Sequence, residues 1–438
     1  MTEPIRIAAV GDCFITRRLP EAAPQAEMLR NLLHQADVRF ANLETTIQRK
    51  AGPPSAFSGG TWAMADPGVL NELSYYGFNC LNAATNHSLD YLYEGLAATE
   101  KHLTEAGFRY AGIGSNMAEA ARPAYVDIPQ GRAALIACTS TFHESWIAGE
   151  QSPSMPGRPG IHPLRYETVH HIAPGEIAGL KEILQKTDIH ADRHLLVKEG
   201  FISETERQDG TMPFGPFLFS AAENSREGTS RRPLKEDRER LVQLVQGACG
   251  EADVVLVSIH SHEMDGENKA APADFHQEIA KELIDAGADA VIGHGPHVLR
   301  GIEIYRGKPI FYSLGNFIFQ NETVSDLPGD FFKQYGLSSD TSIAEAFDRR
   351  SEGGKGLAFN PDVWESVVPY WEMADGRISK MTLYPIALGY GEPRSRRGWP
   401  AFTGDFRPME RLRELSRPFG TDIMIHADGT GEIPFSSA

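Results

Sequence analysis

The chain has 438 residues, 41% of them hydrophobic and only 23% charged, enough apolar material for a large buried core and too little charge for a disordered polyelectrolyte. Its formal net charge is -17, from 59 acidic and 42 basic residues with no long Lys/Arg cluster, which argues against nucleic acid as a partner. No stretch approaches the roughly 20 apolar residues of a membrane span, and MTEPIRIAAVGD opens without a signal-length apolar segment, so a cytoplasmic chain with no membrane partner is expected.

In chain order, short β-branched and apolar runs predict strands at residues 5–10, 38–41, 79–83, 133–137, 254–259, 290–292 and 309–313. Helical spacing of apolar positions falls between them at 67–76, 93–106 and 273–286, the last two stopping near Gly107 and Gly287. This alternation predicts an α/β protein with one main domain over 1–320. SPSMPGRPGIHPLR at 152–165 is too rich in Pro and Gly for a regular element and opens an insertion, about 152–237, placed to cover a site. After 321 the chain reads as an irregular C-terminal extension, 321–438, packed on the main domain, with one strand candidate near 380–384. Cys13, Cys80, Cys138 and Cys249 lie far apart in or beside apolar runs and read as buried free thiols.

Polar residues follow directly on the strand-like runs: Asp12 after IRIAAVG, Glu44 after RFANL, Asn86 and His87 after CLNAAT, His260 after VVLVSI and His294 after AVIG. The carboxyl ends of strands line one edge of an open α/β sheet, so these side chains are expected to converge there. Carboxylate, amide and imidazole are the donors of a hydrolytic or Lewis-acid ion: zinc, manganese, iron or calcium. Singly, each has an ordinary structural role: Asp12 as a cap, Asn86 as a turn former, His87 as a satisfied core histidine. Together they point to a site, because burying so many polar groups is costly unless they pair or bind an ion. Arg17, about one turn past Asp12, is a candidate bidentate clamp for a substrate carboxylate or phosphate, or an ordinary surface arginine.

The segments AVGDCFITR, FANLE, ATNHSLDY, VSIHSHE and GHGPHVLRGIEIYRGKPIFYSLGNFIF resemble the ordered motifs of the CapA family, poly-γ-glutamate capsule proteins of the calcineurin-like metallophosphatase superfamily. The resemblance implies a metallophosphatase-like two-layer β-sandwich flanked by helices, with one or two divalent ions at the strand ends. Asp12, Glu44 and His297 would hold one ion, and Glu44 would bridge to a second held by Asn86, His260 and His294, with His87 as the free imidazole beside them. Two departures stand out. Phe14 occupies the position of a superfamily metal-binding histidine, and Ser88 follows His87 where an orienting acid is usual, leaving Asp90 as the nearest carboxylate. His262, where the family often has glycine, adds an imidazole that either binds substrate or faces solvent.

Capsule members of the family are typically membrane-tethered, so a chain without a tether is expected to act on a cytosolic peptide or other carboxylate-bearing substrate. A soluble branch of the family resembles the lasso-peptide epimerases of ribosomal peptide pathways, which invert a C-terminal residue. Removing an α-proton beside a carboxylate builds negative charge that a metal can stabilise, with acid/base groups on the two faces drawn from Asp12, His87 and His297. The alternatives are metal-dependent hydrolysis of a phosphoester or γ-glutamyl amide, with His87 as acid, and a non-catalytic role in a biosynthetic complex.

Overall fold

The computed structural model describes residues 3–19, 24–203, 207, 209–222 and 227–435. Two sheets stack face to face. The first is ordered Met424–Ile425, Gly431–Glu432, Arg377–Ala387, Glu365–Ala374, Ile5–Phe14, Val38–Leu43, Cys80–Asn82, Arg109–Ala111. The second is ordered Ile302–Tyr305, Lys308–Phe311, Ala290–His294, Val254–His260, Gly131–Thr139, Ala124–Ile128. In each sheet the central strands pair in parallel, so their carboxyl ends share one edge.

Strand periodicity divides the apolar residues between the layers. Ile7, Val38, Phe40, Cys80, Leu135, Leu256 and Ile292 point inward and form one core between the sheets. Their neighbours Ala8, Ala41 and Leu81 face outward, where Leu29, Leu73 and Leu96 of the helices Pro24–Leu33, Leu70–Tyr76 and Leu92–Glu105 cover the first sheet. Val255, Val257 and Val291 do the same on the second sheet beneath Lys235–Ala248 and Asp274–Ala286. The result is the helix-flanked two-layer sandwich that the resemblance implied.

Two sequence expectations need correction. The extension after 321 is more regular than expected: Glu365–Ala374 and Arg377–Ala387 pair antiparallel, the former also pairs with Ile5–Phe14, and Trp371 and Met381 enter the inter-sheet core. Their connection is the two-residue turn Asp375-Gly376, both at positive φ, a hairpin signal obscured because Pro369 and two glutamates interrupt the strand pattern. Cys13, Cys80 and Cys138 are buried, but Cys249 is exposed, because it caps the helix Lys235–Ala248 at the surface. The insertion has regular elements of its own. Residues Tyr166–Ile172, Met212–Phe214, Phe217–Ala221 and Gly228–Pro233 make a four-stranded sheet, and the helices Pro174–Lys186 and Ala191–Lys198 bury no side chain. Its root is anchored by Tyr166, which stacks on Phe275 and donates to Glu263 Oε1 at 3.3 Å.

Candidate metal centre

Each inward-facing row of apolar residues ends in polar ones at the carboxyl edge. Val38 and Phe40 lead to Asn42 and, by the same alternation, Glu44; Cys80 leads to Asn82; Val254 and Leu256 lead to Ser258 and His260; Ala290 and Ile292 lead to His294. Asp12 breaks this parity, since strict alternation from Ile7 and Ala9 would turn it outward. A register shift between Ala9 and Asp12 inserts one residue and returns Asp12 to the inner face. At the same point Ile5–Phe14 exchanges its neighbour Glu365–Ala374 for Asn316–Phe319, the kind of switch at which α/β sheets open a crevice.

The expected residues meet there. His297 Nδ1 lies 3.5 Å from Asp12 Oδ2 and 3.7 Å from Glu44 Oε2. His260 Nε2 lies 3.0 Å from Asn86 Oδ1, 3.1 Å from His262 Nε2 and 3.7 Å from Glu44 Oε1, and its Nδ1 is 3.0 Å from His294 Nδ1. Three sets of donor atoms come within ion-binding distance of one another: Asp12, Glu44 and His297; Glu44, His260 and His262; and Asp12, His260 and His294. Thus His262 turns into the cluster instead of facing solvent, and His294 groups with Asp12 where the resemblance grouped it with Glu44. Arg17 stays apart: its guanidinium donates to the carbonyls of Ser395 and Arg397, so it holds the C-terminal loop and is not free to clamp a substrate.

The electrostatics of this cluster fit a cation. Both oxygens of Glu44 are buried with no hydrogen-bond partner, and Glu44 itself is 0% exposed. Burial, then the charges of Asp12 and Asp90, push its carboxyl well above the usual range. Burial also pushes His260 and His262 well below the usual imidazole value and His294 down to about 4, leaving neutral rings with lone pairs available to a Lewis acid. A buried carboxylate among neutral imidazoles is costly until a positive charge joins them. The donor set suits a divalent ion.

Beside the cluster, His87 Nδ1 donates to Asp90 Oδ2 at 2.7 Å, and Asp90 also accepts from the amides of Ala63 at 2.7 Å and Gly59 at 3.3 Å. Asp90 therefore replaces the orienting acid absent at Ser88, holding the ring with its proton on Nδ1. Gly59 passes so close that a Cβ there would sit 2.6 Å from His87 Nε2, so any side chain would displace the imidazole. Phe14 is buried and packs edge-on to His87 and to Phe319, with ring centroids 5.2 and 6.2 Å away, making this wall apolar where the superfamily has a metal ligand.

Sequence reasoning missed the residues behind these groups. Asn82 donates to Asn42 Oδ1 at 2.6 Å, and Asn42 donates to Asp12 Oδ1 at 2.8 Å, a relay that orients the carboxylate. Ser258 Oγ is 2.6 Å from His294 Nε2, and Asn316 Oδ1 is 2.9 Å from His297 Nδ1. His297 is held at φ 59, in the left-handed region, as strained residues at functional sites often are.

Residues 6–321 match the family model described as Bacterial capsule synthesis protein PGA_cap. The uncharacterized protein y4sH of Sinorhizobium fredii (strain NBRC 101917 / NGR234) is 34% identical, over 96% of this chain and 91% of its own. Capsule biosynthesis protein CapA of Bacillus anthracis is 26% identical over 56% of this chain and 40% of its own. The probable polyglutamine synthesis accessory protein MT0602 of Mycobacterium tuberculosis (strain CDC 1551 / Oshkosh) is 28% identical over 69% of this chain and 60% of its own. Among the described residues, no helix is long and apolar enough to cross a membrane.

Proposed function

Since the chain belongs to the bacterial capsule synthesis protein family PGA_cap, we propose that it is a metal-dependent acid/base enzyme acting on a cytosolic peptide or other carboxylate-bearing substrate. The observation that carries this reading is Glu44, a wholly buried carboxylate without a donor on either oxygen. Asp12, Glu44 and His297 would hold one ion, and Glu44, Asn86, His260 and His294, with His262 beside them, would hold a second; manganese, zinc, iron and calcium all suit such donors. When bound, the metal supplies Lewis-acid stabilisation of negative charge developing on the substrate. A non-catalytic component of a biosynthetic complex would have no use for so costly a carboxylate.

The proton transfers fall to the chain. Asp90 keeps the proton of His87 on Nδ1, leaving Nε2 to accept or deliver one. Asp12 and His297 stand together as the opposing acid/base candidates, 3.5 Å apart at their nearest atoms. The favoured reaction is epimerisation at the Cα of a peptide C-terminal residue, as in lasso-peptide tailoring: one group removes the α-proton and another returns a proton on the opposite face. Phe14 supports it, since its apolar ring packs edge-on against His87 and makes that side of the site apolar. The name of a relative in polyglutamine synthesis favours a peptide substrate.

Hydrolysis of a phosphoester or γ-glutamyl amide is a second reading, favoured by the buried His87–Asp90 pair, which is suited to protonating a leaving group. Incubation of a peptide bearing a free carboxyl terminus in heavy water with a divalent ion separates the two. Deuterium at the last Cα without cleavage is the expected outcome. Cleavage without deuterium would establish hydrolysis instead, and neither change in the presence of bound metal would remove the enzymatic reading for such peptides.

A further inference from the structure

We propose that His262 is a ligand of the metal centre and that Glu263 is the positioning residue that keeps it there, an assignment that rests on the metal-dependent reading above and completes the donor set of its second ion. His262 lies on the loop beyond the strand Val254–His260, where no register fixes a side chain, and its side chain is 27% exposed where those of Glu44 and His260 are wholly buried. An imidazole at such an edge keeps its hydration by turning to water, so an inward turn needs a cause. Its Nε2 nevertheless lies 3.1 Å from His260 Nε2 and 4.0 Å from Glu44 Oε1. His260 Nε2 has a single proton or a single lone pair to set against both this nitrogen and Asn86 Oδ1, which is 3.0 Å away. A cation shared by Glu44, His260 and His262 satisfies the crowded nitrogens and the unpartnered carboxylate together.

The cause lies in Glu263. Its carboxylate accepts from the hydroxyls of Ser140 at 2.6 Å, Ser261 at 2.9 Å, Thr141 at 3.0 Å and Tyr166 at 3.3 Å. A carboxylate only accepts, so the one proton of the Thr141 hydroxyl is committed to it, and the Thr141 oxygen is turned to receive the His262 N–H at 2.9 Å. The His262 carbonyl is engaged as well. Arg300, wholly buried, donates to it at 3.4 Å and to the carbonyls of Ser261 and Glu263 at 3.3 and 2.8 Å. Both polar groups of the His262 backbone are thus held, and the ring is carried to Glu44 by its main chain. Tyr166 brings the root of the insertion to the same carboxylate, so segments remote in sequence are tied together where the imidazole turns in.

The test is a mutant cycle read by cobalt. Affinity for the ion is measured by competition with a chelator, and the visible spectrum of the cobalt-loaded protein reports the ligands. Glu263→Gln and Thr141→Val are each expected to weaken binding by about tenfold or more and to move the spectrum toward that of His262→Ala, while Thr141→Ser, which keeps the hydroxyl, retains the wild-type affinity and spectrum. Because Glu263 acts through His262, adding Glu263→Gln to His262→Ala should cost nothing further. Wild-type affinity and spectrum in His262→Ala would overturn the ligand assignment. Additive losses in the double variant, or a loss in Thr141→Ser equal to that in Thr141→Val, would overturn the role of Glu263. Failure of the wild type to bind cobalt, manganese or zinc would overturn the metal-dependent reading along with this one.

Discussion

The two sheets bring unlike chemistry to their common edge. The first contributes oxygen: Asp12, Asn42, Glu44, Asn82 and Asn316. The second contributes His260 and His294, with Ser258 behind them and His262 just beyond. Within the first sheet the amides satisfy one another and Asp12, through Asn82 to Asn42 to Asp12, while Glu44 finds no donor at all. Within the second, buried imidazoles crowd together uncharged. Each half is thus stable in itself except where it faces the other, and the mismatch is the space for a cation.

Glu44→Gln breaks that comparison most severely. Activity in the deuterium assay is expected to fall by about a thousandfold or more as the site loses its only unpartnered carboxylate. The ion-free protein should respond the other way. Because burial raises the folded pKa of Glu44, its stabilising contribution is present below the ordinary glutamate range and is lost as pH rises through the folded value. Ion-free Glu44→Gln should therefore melt above ion-free wild type at alkaline pH and beside it in acid. Equal melting temperatures at every pH would show that Glu44 carries no burial penalty.

Next in size is His87→Ala, expected to lose about 10²–10⁴ in turnover while keeping its metal, because the role proposed for the imidazole is to move protons and not to hold the ion. Asp90→Asn should follow in the same direction, since the amide no longer fixes the Nδ1 proton. If either variant lost its ion, His87 would have to be reassigned to the metal. Asn42→Ala sharpens the contrast between the sheets by freeing Asp12 from its relay; a loss of about 10–100-fold in metal affinity, read by competition with a chelator, is the expected result. The smallest effect belongs to Arg17→Ala. It should cost about 1 kcal/mol of stability through the released loop and leave peptide affinity unchanged. A selective rise in KM would restore Arg17 as a clamp.

Much of this was legible in the sequence because the strands are short apolar runs with polar stops. Asp12, Glu44, His260 and His294 stand at those stops, and the GHGPH run carries His297. Asn42, Asn82 and Ser258 are embedded within the same runs, and counting every second residue from Phe40, Cys80 and Leu256 would have found them on the inner face. The inward turn of Asp12 depends on a register shift decided by two neighbouring strands, for which the residues 5–14 alone give no signal. Arg17 illustrates the limit of proximity along the chain: its partners are nearly four hundred residues away, in a loop whose position the whole C-terminal hairpin sets. Asp375-Gly376, by contrast, was a readable turn hidden by the uneven strand before it.

The most direct measurement is anomalous diffraction from crystals grown with manganese, collected on wild type and on Glu44→Gln. The account predicts a strong peak against the Glu44 carboxylate, between the oxygen donors of one sheet and the imidazoles of the other, and its loss or marked weakening in the variant. A manganese-saturated crystal with no peak at Glu44, or one whose peak is undiminished by Glu44→Gln, would contradict it.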